Sequence, residues 1–230
     1  MGAAESTTVL VTGGAGYIGS HAAKALRKAG HRVVLYDNLS AGHREAALGA
    51  PLIEGDTADL ETMRRVIRES GASAVMHFAA WLSVPDSVRD PAGYYRNNVT
   101  GTIATLEAMA AEGCRQFVFS STCAVYGEPV ETPIRETHPT SPVNSYGHTK
   151  LAIEHGLPHF ERAYGIRSIR LRYFNAAGAD PEGELGEDHA PEIHVIPRAI
   201  EAARGGRPIE VFGVDYPTPD GTCLRDYIHV

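Results

Sequence analysis

Tyr146 and Lys150 stand four positions apart in the stretch NSYGHTK, a spacing that puts a phenol and an ammonium on one face of a helix. A free phenol titrates near 10, too high for a base at neutral pH, but neighbouring positive charge favours its phenolate. Such a pair can move a proton on and off an alcohol. The same spacing also fits two solvated neighbours on an exposed face. Thr122, in FVFSSTCAVYGEP, lies 24 residues before Tyr146, after an apolar run that reads as a strand, and adds a hydroxyl to the set.

What decides between these readings begins at the other end of the chain. TTVLVTGGAGYIGSH places Gly13, Gly14, Gly16 and Gly19 between an apolar run and a helical pattern. Glycines there permit a tight turn and close backbone approach, and the helix start offers N–H groups and a positive dipole to a pyrophosphate. HRVVLYDN puts Asp37 at the tip of the next strand, 18 residues after Gly19, where a carboxylate accepts both hydroxyls of an adenosine ribose. Asp37 would repel a 2′-phosphate, so NAD is expected rather than NADP. Asp56, in EGDTADL, is either a contact to the adenine edge or a helix cap. HFAA, residues 77–80, ends a fourth strand in small residues that let a cofactor lie against the backbone or simply pack in a core.

These residues need a scaffold. TTVLVT, HRVVLY, APLIEG, SAVMHF and RQFVFSS read as strands, separated by helical patterns in SHAAKALRKAG, DLETMRRVIRES and YYRNNVTGTIATLEAMAAEG. That order predicts an α/β fold, a Rossmann-like doubly wound parallel sheet whose carboxyl edge carries the ligand. A later helix spans 145–163 and is expected to kink at Gly156 and Pro158. Residues 176–192, rich in Gly, Pro and acid, read as a long loop. HVIPRAIEAARGG reads as a helix, and IEVFG and RDYIHV as strands of a smaller region. The domain boundary is drawn after 175, with a dinucleotide-binding domain at 1–175 and a partial substrate-binding region at 176–230.

A chain of 230 residues, 43% hydrophobic and 21% charged, can bury a full core. Its formal net charge of −7 argues against nucleic acid. The N-terminus shows neither a signal-peptide pattern nor a membrane span, which points to the cytoplasm. Cys114, Cys123 and Cys223 form no C-x-x-C and read as reduced thiols. Among 11 histidines there is no H-E-x-x-H, and His155 and His159 bracket Gly156 and Pro158, so metal is set aside.

The segments TGGAGYIGSH, DNLS, HFAA, NNVTGT, FSSTCAVYG, SYGHTK, RYFNAAGA, HVIP and DGTCLRDYIHV resemble, in order and over essentially the whole chain, the extended short-chain dehydrogenase/reductases, and within them the UDP-glucose (UDP-galactose) 4-epimerases. The resemblance implies Tyr146 as acid/base, Lys150 as ribose ligand and modulator of the phenol, and Thr122 as a hydroxyl on the proton path to the sugar 4-OH. It implies NAD contacts from Gly13, Gly16, Tyr17, Ile18, Gly19, Asp37, Asn38, Asp56, Thr57, Phe78, Ala79, Ala80, Asn97 and Phe174. UDP-sugar contacts are implied for Asn175, His194, Val195, Phe212 and Arg225. Their plain alternatives are a strand-end turn residue for Asn175, core for Phe212 and a surface cation for Arg225.

Related dehydratases carry an acidic pair just after the strand-end threonine. Cys123 and Ala124 stand there instead, which disfavours net elimination of water. The implied reaction is transient oxidation at sugar C4 in a protein that dimerises through the helices near 95–112 and 145–163. Alternatives are another UDP-sugar 4-epimerase, acting on an N-acetylhexosamine, uronate or pentose, or a non-catalytic NAD-binding fragment or sensor. The family's chains continue past the position of Val230. From that follows the expectation that NAD binds well, that UDP-sugars bind poorly without a further segment, and that RDYIHV exposes an apolar edge.

Overall fold

The computed structural model describes residues 6–230. They fall into two compact units, one ending at Tyr173 and one spanning Phe174–Val230.

In the first unit six parallel strands lie in the order β3-β2-β1-β4-β5-β6. They are β1 (Thr8–Thr12), β2 (Arg32–Asp37), β3 (Leu52–Glu54), β4 (Ala74–His77), β5 (Gln116–Ser120) and β6 (Arg167–Leu171). Strand order reverses between β1 and β4, which pair from Val9 opposite Ala74 to Thr12 opposite His77. A ligand crevice opens at such a reversal, beyond the carboxyl ends of the strands.

Period-two alternation explains why both sheet faces are covered. From β1, Leu10 joins one buried cluster with Tyr36, Met63, Val75, Leu106 and Phe117. Its neighbours Val9 and Val11 point the other way, into a second cluster with Ala23, Val33 and Leu35. The crossover helices cover these faces: α1 (Tyr17–Lys28), α2 (Leu60–Ser70), the short α3 (Val84–Arg89) and α4 (Pro91–Tyr94), α5 (Gly101–Glu112) and α6 (Ser145–Tyr164). One expectation is revised here. The single helix expected from residue 94 is interrupted by a π-helical turn at Tyr95–Thr100. The helix expected over 145–163 is α6, one helix of 20 residues that runs on through Pro158. Buried Ile153, Glu154 and Leu157 anchor it just ahead of the proline, and packing outweighs the lost hydrogen bond.

The sixth strand was not among the five read from the sequence. It is a sheet edge, its pattern RSIRL mixing charge with apolar residues, and Ile169 is exposed.

The second unit has a short parallel pair, β7 (Asn175–Ala177) and β8 (Tyr227–His229), and one helix, α7 (Val195–Ala203). The expected loop follows β7. IEVFG, 209–213, is not a strand: among the described residues no neighbour supplies it with a ladder, and Val211 and Phe212 are exposed. In β8, Tyr227 and Ile228 are exposed as well.

Candidate active site

The loop after β1 is built for close approach. Gly13 has φ +68°, and a Cβ there would lie 2.5 Å from the Ala79 backbone nitrogen. The loops after β1 and β4 therefore touch across the strand reversal. Gly16 caps α1 without a side-chain hydrogen bond, so the first N–H groups of that helix have no side-chain acceptor at the cap. Tyr17 and Ile18 open the helix partly exposed, and Gly19 is buried.

Asp37 is buried at the carboxyl end of β2. The Ala15 N–H donates to its Oδ2 at 2.9 Å and the Leu39 N–H to its Oδ1 at 2.8 Å. The carboxylate thus pins the glycine loop to the turn after β2, and each oxygen has a lone pair left for a further donor.

The choice left open for Asp56 is resolved in part. Asp59 caps α2, accepting from the Thr62 N–H at 3.1 Å, whereas Asp56 accepts from the Ala58 N–H at 2.8 Å and from Asn38 Nδ2 at 3.3 Å. Thr57 packs against the start of α5, where a Cβ on Gly101 would lie 2.5 Å from its hydroxyl. Phe78, Ala79 and Ala80 follow β4 partly exposed, not sealed in the core. Asn97 sits in the π turn and donates to Asn98 Oδ1 at 2.9 Å.

Thr122 follows β5 and accepts from the Ala124 N–H at 3.1 Å. Asn144 caps α6 through the Gly147 N–H at 2.9 Å. A Cβ on Gly147 would lie 2.7 Å from the Ala124 carbonyl, so the start of α6 rests directly on the Thr122 turn. This contact brings Tyr146 close to Thr122, whose hydroxyl favours the phenolate. One helical turn later Lys150 is 2% exposed, donates from Nζ to the Ser120 carbonyl at 2.8 Å, and lies 5.9 Å from the centre of the Tyr146 ring. The exposed-pair reading of NSYGHTK is excluded.

Burial pushes the Lys150 ammonium down to about 7. It pushes the Tyr146 phenol above its ordinary value, reinforced by the nearby Tyr173, while the Thr122 hydroxyl opposes the rise. The expectation of a phenolate rests on a lysine ammonium and a positive nicotinamide together, and within the chain alone burial prevails. Desolvation of an anion outweighs one neighbouring hydroxyl, and a buried lysine is a weakened cation. Depressing the phenol then needs positive charge from outside the chain.

Several supporting residues escaped the sequence. His77 is buried, with Nδ1 2.7 Å from Thr12 Oγ1 and Nε2 2.9 Å from Thr102 Oγ1, and burial pushes it down to about 3. It is a neutral tie between β1, β4 and α5. Buried Asn98 holds the Trp81 backbone at both ends and donates to Thr149 at 3.2 Å, linking the π turn to α6. Glu154 accepts from Ser121 Oγ at 2.5 Å and from Arg172 Nε at 3.0 Å, which fixes α6 against the ends of β5 and β6. The Tyr173 hydroxyl bonds Ser120.

The remaining sequence candidates lie in the second unit. Partly exposed Phe174 precedes Asn175, whose Nδ2 donates to the Asp226 carbonyl at 2.7 Å across the β7–β8 pair. Arg225 is exposed beside that pair. Phe212 is 90% exposed, which removes its core alternative. His194 and Val195 begin α7, and His194 gathers with Glu187, His189 and Glu192, a grouping that setting metal aside had passed over. Exposed His155 and His159 belong to no such group among the described residues.

Sheet order, glycine loop, strand-end acid and buried tyrosine–lysine pair define a dinucleotide-binding Rossmann protein with a short-chain-dehydrogenase type of site. More narrowly, residues 9–230 match the model of the NAD dependent epimerase/dehydratase family, and the chain belongs to that family. It is 52% identical over 224 residues to the UDP-glucose 4-epimerase of Rhizobium leguminosarum bv. trifolii, spanning 97% of this chain and 68% of that protein. The UDP-glucose 4-epimerase of Brucella ovis in complex with NAD superposes with a TM-score of 0.94 at 52% identity, over 97% of this chain and 69% of that one. That of Bifidobacterium longum in complex with NAD+ and UDP gives 0.92 at 38% identity, over 97% and 70%.

Proposed function

We propose that this chain interconverts UDP-glucose and UDP-galactose by transient oxidation at sugar C4, with NAD as its cofactor. The observation that carries the reading is the Thr122, Tyr146 and Lys150 set at the carboxyl edge of the sheet, in a chain about half identical to curated UDP-glucose 4-epimerases. The residues suit NAD: a helix start with no side-chain cap, a glycine loop without side chains, and Asp37 with acceptor capacity for a ribose. NAD supplies the hydride acceptor and donor.

The chain's own residues handle the proton. Tyr146 takes it from the 4-OH and returns it, Thr122 shortens the path, and Lys150 orders the ribose, adding to the phenol's bias only when bound cofactor brings further positive charge beside it. Cys123 and Ala124, following Thr122 in a short turn, place no carboxyl there to drive elimination. Asn175, His194, Val195, Phe212 and Arg225 are the UDP-sugar contacts of this reading, with Arg225 neutralising phosphate. We assign Gly13, Gly16, Tyr17, Ile18, Gly19, Asp37, Asn38, Asp56, Thr57, Phe78 to Ala80, Asn97 and Phe174 to NAD.

A homodimer through α5 and α6 and a cytoplasmic location belong to the same reading. The exposure of Ile103 on α5 and Tyr164 on α6 supports the former. No helix among the described residues is long and apolar enough to cross a membrane, which is compatible with the latter.

The test is UDP-galactose with a coupled readout of UDP-glucose. The parent chain should turn over, and Tyr146→Phe should bind NAD without turnover. A Tyr146→Phe protein that keeps most of the parent rate would refute the base, and a parent that binds both ligands but produces no UDP-glucose would refute the activity.

A further inference from the structure

The loop leading into α7 carries two E-x-H repeats five residues apart, Glu187 with His189 and Glu192 with His194. No helix or strand dictates this spacing, yet one donor atom from each of the four side chains lies within 4.8 Å of the others. His189 Nδ1 is 3.3 Å from Glu187 Oε1 and 3.8 Å from Glu192 Oε2. His194 Nδ1 is 3.3 Å from Glu192 Oε1 and 2.6 Å from Glu187 Oε1. Donors bound tetrahedrally at about 2.0 to 2.2 Å from one centre sit roughly 3.3 to 3.6 Å apart, and the separations here, 2.6 to 3.8 Å, lie on either side of that spacing.

The second observation is the state of Glu187. Its side chain is only 6% exposed, and its Oε1 faces two imidazole nitrogens, at 2.6 and 3.3 Å, without a hydrogen bond of regular geometry to either. His194 Nδ1 approaches that oxygen and likewise makes no hydrogen bond. A buried carboxylate needs compensation. Here two lone-pair donors converge without a hydrogen-bonding geometry, the arrangement that a cation between them resolves. Glu192 is held in a fixed orientation. The Ile193 and His194 N–H groups both donate to its Oε1 at 2.8 Å, which leaves Oε2 toward His189. Ligand carboxylates in metal sites are characteristically fixed by such outer contacts.

The geometry points to a divalent-cation site of zinc type formed by Glu187, His189, Glu192 and His194, closing the loop onto the start of α7. Two imidazoles and two carboxylates suit zinc better than calcium or magnesium, which take oxygen ligands in larger number. With four protein ligands the site is structural rather than catalytic. The inference does not depend on the proposed function. It does assign the His194 ring to the ion, leaving the backbone at the start of α7 as the part of that residue pair able to meet a phosphate.

The experiment uses untagged, chelator-stripped full chain titrated with Zn2+ against a chromophoric chelator, and separately with Co2+ followed by visible absorption. One equivalent should bind with a Kd of about 1 µM or tighter, well within what structural zinc sites reach. The Co2+ form should show the intense visible band of a tetrahedral centre. His189→Ala and Glu187→Gln should each weaken binding by at least the roughly 10- to 100-fold that loss of an outer-shell partner costs. His155→Ala with His159→Ala, on the exposed face of α6, should leave it unchanged. Less than one equivalent bound by the parent chain, absence of the tetrahedral band, or equal weakening by the α6 control would overturn the assignment. The parent's stoichiometry and spectrum decide the matter even if a loop variant does not fold.

Discussion

Replacing Lys150 by Met should make the cofactor-free chain more stable while abolishing the proposed turnover. Burial lowers this ammonium from 10.5 to about 7, so at pH 6 the folded protein holds a charge it would rather shed. At about 1.36 kcal/mol per unit, that drop amounts to a cost of at most roughly 5 kcal/mol. Against it stands the bond from Nζ to the Ser120 carbonyl, whose loss leaves a buried acceptor at a cost of about 1 to 3 kcal/mol. The net gain at pH 6 is therefore about 2 to 4 kcal/mol. The sign is set by proton counts. Between about pH 7 and 10.5 the unfolded lysine binds its proton and the folded one does not, so parent stability rises with pH through that window. The advantage of Lys150→Met should accordingly be full below pH 7, shrink as pH rises, and vanish or reverse near 10.5. Urea unfolding of both proteins at matched pH checks this. Cys114, raised to about 11, and Tyr36, raised to about 12, are common to both and cancel in the difference. A difference that stays constant from pH 6 to 10 would refute the claim that Lys150 is a desolvated, weakened cation.

Glu154→Gln should destabilise the chain by roughly 2 to 4 kcal/mol in the same unfolding assay, because it leaves the largely buried Arg172 guanidinium without its carboxylate. Asp37→Ser should weaken NAD by about one to two powers of ten, the worth of one charge-assisted contact of roughly 1.5 to 3 kcal/mol, and narrow its margin over NADP. Calorimetric titration with each dinucleotide measures both effects, and unchanged NAD affinity would remove Asp37 from the site.

The legible parts of this protein are those whose physics is local. Four glycines between an apolar run and a helix, an acid at the tip of the next strand, and a tyrosine four residues before a lysine each state their geometry within a few positions. The alternation of strand and helix then dictates the sheet. What stayed hidden depends on distance along the chain or on competition between forces. Ser121, Glu154 and Arg172 meet only after folding, across 33 and 18 residues. His77 reads as any histidine until Thr12 and Thr102 close on its two nitrogens. The edge strand β6 has no continuous apolar run to announce it. The direction of the Tyr146 shift could not be read from the presence of a lysine, because burial acts on both partners and opposes charge on each. The two E-x-H repeats were invisible for another reason: their convergence belongs to a loop, where spacing implies no fixed geometry.

The contact between Gly13 and Ala79 bears on how a ligand would experience the crevice. With a hypothetical methyl on Gly13 only 2.5 Å from the Ala79 nitrogen, the backbones after β1 and β4 approach too closely to admit a side chain between them. The two walls at the strand reversal pack backbone against backbone in the folded sheet. Their ordering is charged to folding, so a dinucleotide arriving there loses little further chain entropy on binding, and affinity can rest on few contacts. It follows that loosening this contact should slow nothing in the approach of the ligand but should shorten its stay.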